Sequence, residues 1–236
     1  MIRAGLGRTL AAAALALALS AVGLAPASAA SAPVITWQGT IADGATYVYG
    51  KVPAAPTCSA AEDLVPVPCS VTGYDASVGV HVLTATATAT ATATDGVTTT
   101  VATRTYTVTG WKLKGFYKPV KMNTVNKVKA GSTVPLKFKV YTGTRKATAT
   151  GVVASLTAQR YDCTTLAPLG APEPIAKTKA QRLKYRSGAF HQNWKTPTLP
   201  KPAKVKGKKT APAPVCYQVA LTTQDGSSLT ANFRLK

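Results

Sequence analysis

Acidic side chains are scarce in this 236-residue sequence: 8 Asp and Glu stand against 28 Lys and Arg, for a formal net charge of +20. A Ca²⁺ site needs several converging oxygens, and Asp43, Asp75, Asp95 and Asp225 each have a Gly or Ala neighbour, so they read as turn residues. Glu62 and Asp63 are adjacent between two cysteines and form no catalytic pair. Only two imidazoles occur, His81 and His191, and neither sits in a Ser/His/Asp phrase. No C-x-x-C occurs, which disfavours zinc. The reading is therefore non-enzymatic, with no cofactor, metal or catalytic residue. Helical apolar periodicity is missing beyond the first thirty residues, which leaves no recognition helix for specific nucleic acid. Runs of eighteen apolar residues are missing there too, so no transmembrane segment is expected in the mature chain.

The start of the chain has its own character. Arg3 and Arg8 precede an Ala/Leu stretch broken by Ser20, Gly23 and Pro26, and Ala27-Ser28-Ala29 fits a signal-peptidase site. Residues 1–30 are expected to be an export signal and the mature protein to be secreted; a retained anchor is the weaker alternative. Charge then changes in a step. Residues 31–109 hold two basic and five acidic side chains, whereas 110–236 hold 24 basic and three acidic. Such a step marks a domain boundary, giving an expected division into 31–109 and 110–236. Four cysteines in an exported chain should pair, and of three connectivities the one that keeps each bridge within its half is favoured: Cys58 with Cys69, Cys163 with Cys216. Loop closure assigns roughly 2–3 kcal/mol to the short bridge and about 4 to the long one.

Short alternating segments rich in Thr, Val and Tyr recur between Gly, Pro, Asn and Asp, so the fold class is all-β. In the first half "PVITWQG" and "ATYVYG" flank a turn at Asp43-Gly44, and "CSVTGYD", "GVHVLTAT" and "TTTVATRTYTV" follow. In the second, "STVPLKFKVY" puts Val134, Leu136, Phe138 and Val140 on one face and Lys137 and Lys139 on the other, a half-buried strand with a basic outer face. "GAFHQNWKT" sends Phe190, Gln192 and Trp194 inward and His191 outward, and the last 21 residues read as a hairpin about Asp225-Gly226. The Lys/Pro-rich segment 199–214 should be an extended solvated loop.

The run "LTATATATATATDG", Leu83–Gly96, alternates strictly, with Thr on one face and Ala on the other. Added dipeptides leave every flanking residue on its own face, so neutral expansion is favoured over a functional Thr array. Twelve residues in one strand span about 40 Å, and the surplus should project as a long hairpin with "VTTTVATR" or buckle into a bulge. Long Thr-rich edge strands are also candidates for pairing between chains.

"WKLKGFYKPVKMNTVNKVKAGSTVPLKFKV", "FHQNWKTP" and the closing "CYQVALTTQDGSSLTANFRLK" resemble the PxKF domain, a C-terminal module of secreted proteins from high-GC Gram-positive bacteria. Its name-giving residues fall on Pro135, Leu136, Lys137 and Phe138. The preceding half resembles the bacterial Ig-like repeat often found before it, and a brief "LTATATD" in such repeats is here stretched by whole Thr-Ala pairs. The resemblance implies two tandem immunoglobulin-like β-sandwiches at the end of an extracellular architecture, and it carries over no catalytic or binding residue. This sequence departs from the pattern in having no large enzyme or lectin domain in front and in its long Lys/Pro loop.

Function then rests on the basic half. Lys112, Lys114, Lys118, Lys121, Lys127 and Lys129 form one cluster, Lys177, Lys179, Arg182, Lys184 and Arg186 a second, and Lys201, Lys204, Lys206, Lys208 and Lys209 a third. Such a field attracts polyanions and is screened by salt. For an exported chain the near partners are anionic cell-wall polymers or lipid headgroups, with Lys201, Lys204, Lys206, Lys208 and Lys209 as candidate contacts. A passive, highly charged soluble surface is the bland alternative. A structural or adhesive cell-surface accessory is thus the leading reading. The alternative is a non-catalytic carbohydrate-binding module using Trp37, Trp111, Trp194, Tyr47, Tyr49 and Tyr185.

Overall fold

A computed structural model describes residues 31–91, 96–176, 178, 182–199, 204–205, 208–209 and 214–236. The export signal expected over 1–30 lies outside these residues. The described chain forms two tandem immunoglobulin-like β-sandwiches, each of two facing sheets. Among the described residues no helix is long and apolar enough to cross a membrane.

The first sandwich contains β1 (Val34–Gln38), β2 (Ala45–Val48), β3 (Thr57–Glu62), β4 (Val65–Val67), β5 (Cys69–Thr72), β6 (Gly79–Ala91) and β7 (Gly96–Thr109). One sheet runs β1-β3-β4 and the other β2-β7-β6-β5, with β2 parallel to β7 and the other pairs antiparallel. Cys58 on β3 is bonded to Cys69 on β5, which ties the sheets together. Ile41, Leu83, Tyr106 and Val108 form the bulky part of the core.

The Thr-Ala run builds the rest of that core. β6 and β7 stay in uninterrupted register from Gly79 opposite Val108 to Ala91 opposite Gly96, so the surplus is an extended hairpin without a bulge. Ala85, Ala87 and Ala89 are 0%, 0% and 2% exposed. β1, β3 and β4 come within 8 Å of β6, Cα to Cα, closer than the ~10 Å usual between stacked sheets. Only a methyl-sized side chain leaves room for that approach. Thr84, Thr86 and Thr88 therefore face out.

The segment between Cys58 and Cys69 is a hairpin. β3 and β4 pair with Glu62 opposite Val65, so Asp63-Leu64 is a two-residue turn. Both turn residues have positive φ, 47° and 69°, the geometry that matches strand twist in such turns. The sequence hides this because Leu is a poor left-handed residue.

The second sandwich contains β8 (Lys112–Gly115), β9 (Val125–Val128), β10 (Thr133–Thr142), β11 (Arg145–Lys146), β12 (Val153–Tyr161), β13 (Glu173–Pro174), β14 (Lys184–Arg186), β15 (Ala189–Lys195), β16 (Lys204–Val205), β17 (Lys208–Lys209), β18 (Val215–Thr223) and β19 (Ser228–Leu235). One sheet orders β11-β10-β15-β14 with β8 also on β10, the other β13-β12-β18-β19-β9. Leu136, Phe138, Phe190, Trp194, Val219, Leu221 and Phe233 fill the space between them. Phe138 lies flat on Phe190 with ring centres 5.3 Å apart. Cys163 is bonded to Cys216 of β18, so both bridges stay within their own sandwich.

Within 199–214, expected to be entirely loop, β16 and β17 pair as a small ladder. None of its four residues is Pro, so backbone donors are free to pair there.

Trp111 joins the sandwiches, and Asp225 holds its backbone in place. The Trp111 ring meets Tyr49 edge-on at 5.6 Å and its indole N–H donates to the Tyr49 carbonyl at 3.2 Å. Asp225 accepts hydrogen bonds from the Trp111 backbone N–H, the Thr223 hydroxyl at 2.6 Å and the Ser227 hydroxyl at 2.6 Å. Burial disfavours its ionised form, but the bonds from Ser227, Thr223 and Trp111 outweigh that and hold the carboxyl below its ordinary range.

Candidate functional site

Period-two alternation sets the orientation of β10: Val134, Leu136, Phe138 and Val140 are in the core, so Pro135, Lys137, Lys139 and Tyr141 face out. The strand neighbours then decide what stands beside them. On β8, Lys114 lies opposite Lys139 and Lys112 opposite Tyr141. Lys146 of β11 also lies opposite Tyr141. On β15, His191 is opposite Lys137 and Lys195 opposite Thr133. Beyond it, Lys184 of β14 is opposite His191 and Arg186 opposite Ala189.

Eight cations, Lys112, Lys114, Lys137, Lys139, Lys146, Lys184, Arg186 and Lys195, thereby share one sheet face with His191. The five strands that build it contain no Asp or Glu.

That arrangement stores repulsion. Like charges directly opposite on neighbouring strands each oppose folding by about 0.2–1 kcal/mol, and Lys114 against Lys139 is such a pair. Aromatic rings offset part of this: the Lys114 ammonium lies 5.4 Å from the centre of the Tyr141 ring and that of Lys139 5.4 Å from Tyr117. His191 responds to the same field. Burial, then the charges of Arg186 and Lys137, push its pKa below the ordinary value, against a hydrogen bond with the Arg186 backbone that favours the cation. A bound polyanion would relieve all these repulsions together, whereas a neutral ligand would relieve none.

Residues Pro135, Leu136, Lys137 and Phe138 lie at the heart of this face. Leu136 and Phe138 are core, while Lys137 and Pro135 face out. The Lys137 carbonyl accepts from the Tyr117 N–H on the β8 side, so by alternation Pro135 turns its donorless nitrogen to that same side. There the β8 ladder, which ends at Phe138, does not reach it. Gly115 lets β8 come this close: its φ is +118°, and a Cβ there would meet the Lys137 carbonyl oxygen at 2.8 Å.

Other sequence candidates are placed differently. Lys201 and Lys206 lie outside the described residues, as do Lys177 and Lys179; Lys204, Lys208 and Lys209 are on the β16–β17 ladder. The aromatics proposed for carbohydrate do not form one platform. Trp194 is buried against Phe233 and Tyr217, Tyr185 packs on Phe190, Tyr47 meets Tyr106, Trp37 lies under Arg104, and Tyr49 and Trp111 form the junction. His81 is held by the Ser77 carbonyl at 2.8 Å and stands 4.0 Å from Asp75. Asp43 and Asp162 accept backbone N–H groups of Thr105 and of Thr164 and Thr165, the turn chemistry that draws their carboxyls below the usual range. Among the described residues no group of three His, Cys, Asp or Glu side chains is placed to hold a metal ion.

Sequence reasoning found the basic face of β10 but grouped the remaining cations by proximity along the chain. Lys112 and Lys114 join that face, whereas Lys127 sits on β9 in the opposite sheet. Only strand register carries that information.

No family model and no curated protein matches this chain. Among solved structures, the mutated titin I67–I69 fragment is similar at a TM-score of 0.26 and 9% identity, over 86% of this chain and 65% of that one. Titin Ig tandem A164–A165 is similar at 0.23 and 15% identity, over 87% and 97%. Drosophila OTK extracellular domains 3–5 are similar at 0.23 and 13%, over 86% and 61%. The chain thus spans about 65% of the length of the titin I67–I69 fragments, and no function is transferred from them.

Proposed function

We propose that the chain is an exported, non-enzymatic structural module of the cell surface whose second sandwich holds anionic envelope polymer on the outer face of the β8–β10–β15–β14 sheet. The observation that carries this reading is the gathering of eight cations and His191 on strands that contain no carboxylate. The resemblance to PxKF modules and the export signal supply the extracellular setting. A flat sheet face with dispersed ammonium groups suits a repeating phosphodiester or carboxylate chain, because it offers charge without a shaped pocket.

The test is a pull-down on purified cell walls across a salt series, with Lys114→Glu, Lys137→Glu and Lys139→Glu combined as the control. Because screening shortens the reach of charge to about 3 Å at 1 M salt, binding should vanish with salt and should already be absent in the triple variant. Retention in high salt with competition by soluble sugar would favour the carbohydrate reading instead.

A further inference from the structure

The long hairpin leaves one strand edge open. β7 is paired with β6 along its whole length, but β2 covers its other side only from Tyr106 to Thr109. Next to that, the Asp43 side chain accepts from the Thr105 N–H at 2.7 Å and the Gly44 N–H donates to the Thr105 carbonyl at 2.8 Å. Thr105 therefore points its backbone groups away from β6. By alternation Thr103, Val101, Thr99 and Val97 do the same, and among the described residues no strand pairs with them there.

Other edges in this molecule are blunted. β8, β9, β11 and β14 carry Lys or Arg, β4 and β13 carry Pro, and the remaining edges β1, β2 and β5 are only 5, 4 and 4 residues long, devices that discourage strand addition. The stretch Val97-Thr98-Thr99-Thr100-Val101-Ala102-Thr103 has neither charge nor Pro nor Gly. It also reads the same in both directions from Val97 to Val101. Side chains at 97 and 101 are 64% and 57% exposed.

We propose that this edge is completed by a second copy of the chain, β7 pairing antiparallel with its own equivalent about a two-fold axis at Thr99. In that register Thr99 faces Thr99 of the other copy and Val97 faces its Val101. Each such pair exchanges two backbone hydrogen bonds through groups that already point outward. The contact is isologous and closes at two copies. It also joins the two outer Thr/Val faces into one continuous face. Each mature copy carries a net charge of +18, the +20 of the full sequence less Arg3 and Arg8, so long-range repulsion opposes the contact and salt strengthens it, the reverse of the effect expected on polymer binding. The proposal does not rest on the polymer reading.

The test uses the full mature chain. Sedimentation equilibrium should show a monomer–dimer equilibrium that shifts toward dimer as salt rises. Val97→Lys with Val101→Lys should weaken dimerisation at least tenfold while leaving the circular dichroism spectrum unchanged. Purified Thr99→Cys should oxidise to a covalent dimer with its two native bridges intact. Thr88→Cys, directly opposite Thr99 on β6, should not. A monomeric mass at every concentration and salt overturns the proposal, as does cross-linking through position 88 in place of 99, or a dimer that the two Lys leave undisturbed.

Discussion

Replacing Asp225 by Ala tests the junction between the sandwiches. Four donors converge on this carboxylate: the Trp111 N–H, the hydroxyls of Thr223 and Ser227, and the Ser227 N–H at 3.4 Å. They do not lose equally. The Thr223 hydroxyl also lies 2.9 Å from the Ser227 carbonyl and turns to it, and the half-buried Ser227 hydroxyl finds water. The Trp111 N–H keeps no other acceptor among the described residues, and an unsatisfied buried donor costs about 1–3 kcal/mol. Adding the lost charge assistance of the two hydroxyl bonds brings the expected destabilisation to about 2–4 kcal/mol. Asp225→Asn keeps one acceptor and should lose about half as much.

The pH dependence has a definite sign. The folded pKa lies below the unfolded one, so the stabilisation is fully present above the ordinary carboxylate value of about 3.9 and is lost as pH falls through the lower folded value. Urea unfolding followed by Trp fluorescence should thus show a gap between wild type and Asp225→Ala that is constant near neutrality and narrows below about pH 4. A loss under about 1 kcal/mol at neutral pH, or a gap that widens on acidification, would refute the clasp.

Further predictions concern the hairpins and the basic face. Ala87→Leu, under the opposing sheet, should destabilise by about 1–3 kcal/mol through overpacking, while Thr86→Val on the outer side should change stability by less than about 0.5 kcal/mol; chemical denaturation reads both. Leu64 is 95% exposed with φ at 69°, so Leu64→Gly should raise stability by roughly 1 kcal/mol, seen as a higher denaturation midpoint. Because Arg186 and Lys137 help hold His191 uncharged, a bound polyanion favours its imidazolium. Affinity for a phosphodiester polymer should rise as pH falls below about 6.5, and His191→Ala should flatten that rise in a calorimetric titration.

Much of this architecture was legible in the sequence because alternation has only one period to read. The inward set of β10, the closing hairpin about Asp225-Gly226 and the two local disulfides follow from residue type and spacing. Alternation does not say which face of the Thr-Ala run is buried; the answer depends on how close the β1–β3–β4 sheet comes, and only Ala admits that approach. Nor does it show that Lys112, Lys146, Lys184 and Lys195, up to 83 positions apart, meet on one sheet face, since register between distant strands sets that. The β3–β4 hairpin was hidden by a Leu in a left-handed turn. The contribution of Asp225 beyond its turn was hidden because one of its donors comes from Trp111, 114 residues away.

The most direct test of the central claim is the salt slope of binding to a soluble phosphodiester polymer, measured for the wild type and for Lys114→Ala, Lys137→Ala, Lys139→Ala combined. If the outer face of β8, β10 and β15 is the contact surface, the slope of log affinity against log salt should fall by roughly 0.7–0.9 for each cation removed. An unchanged slope and affinity in the triple variant would contradict it.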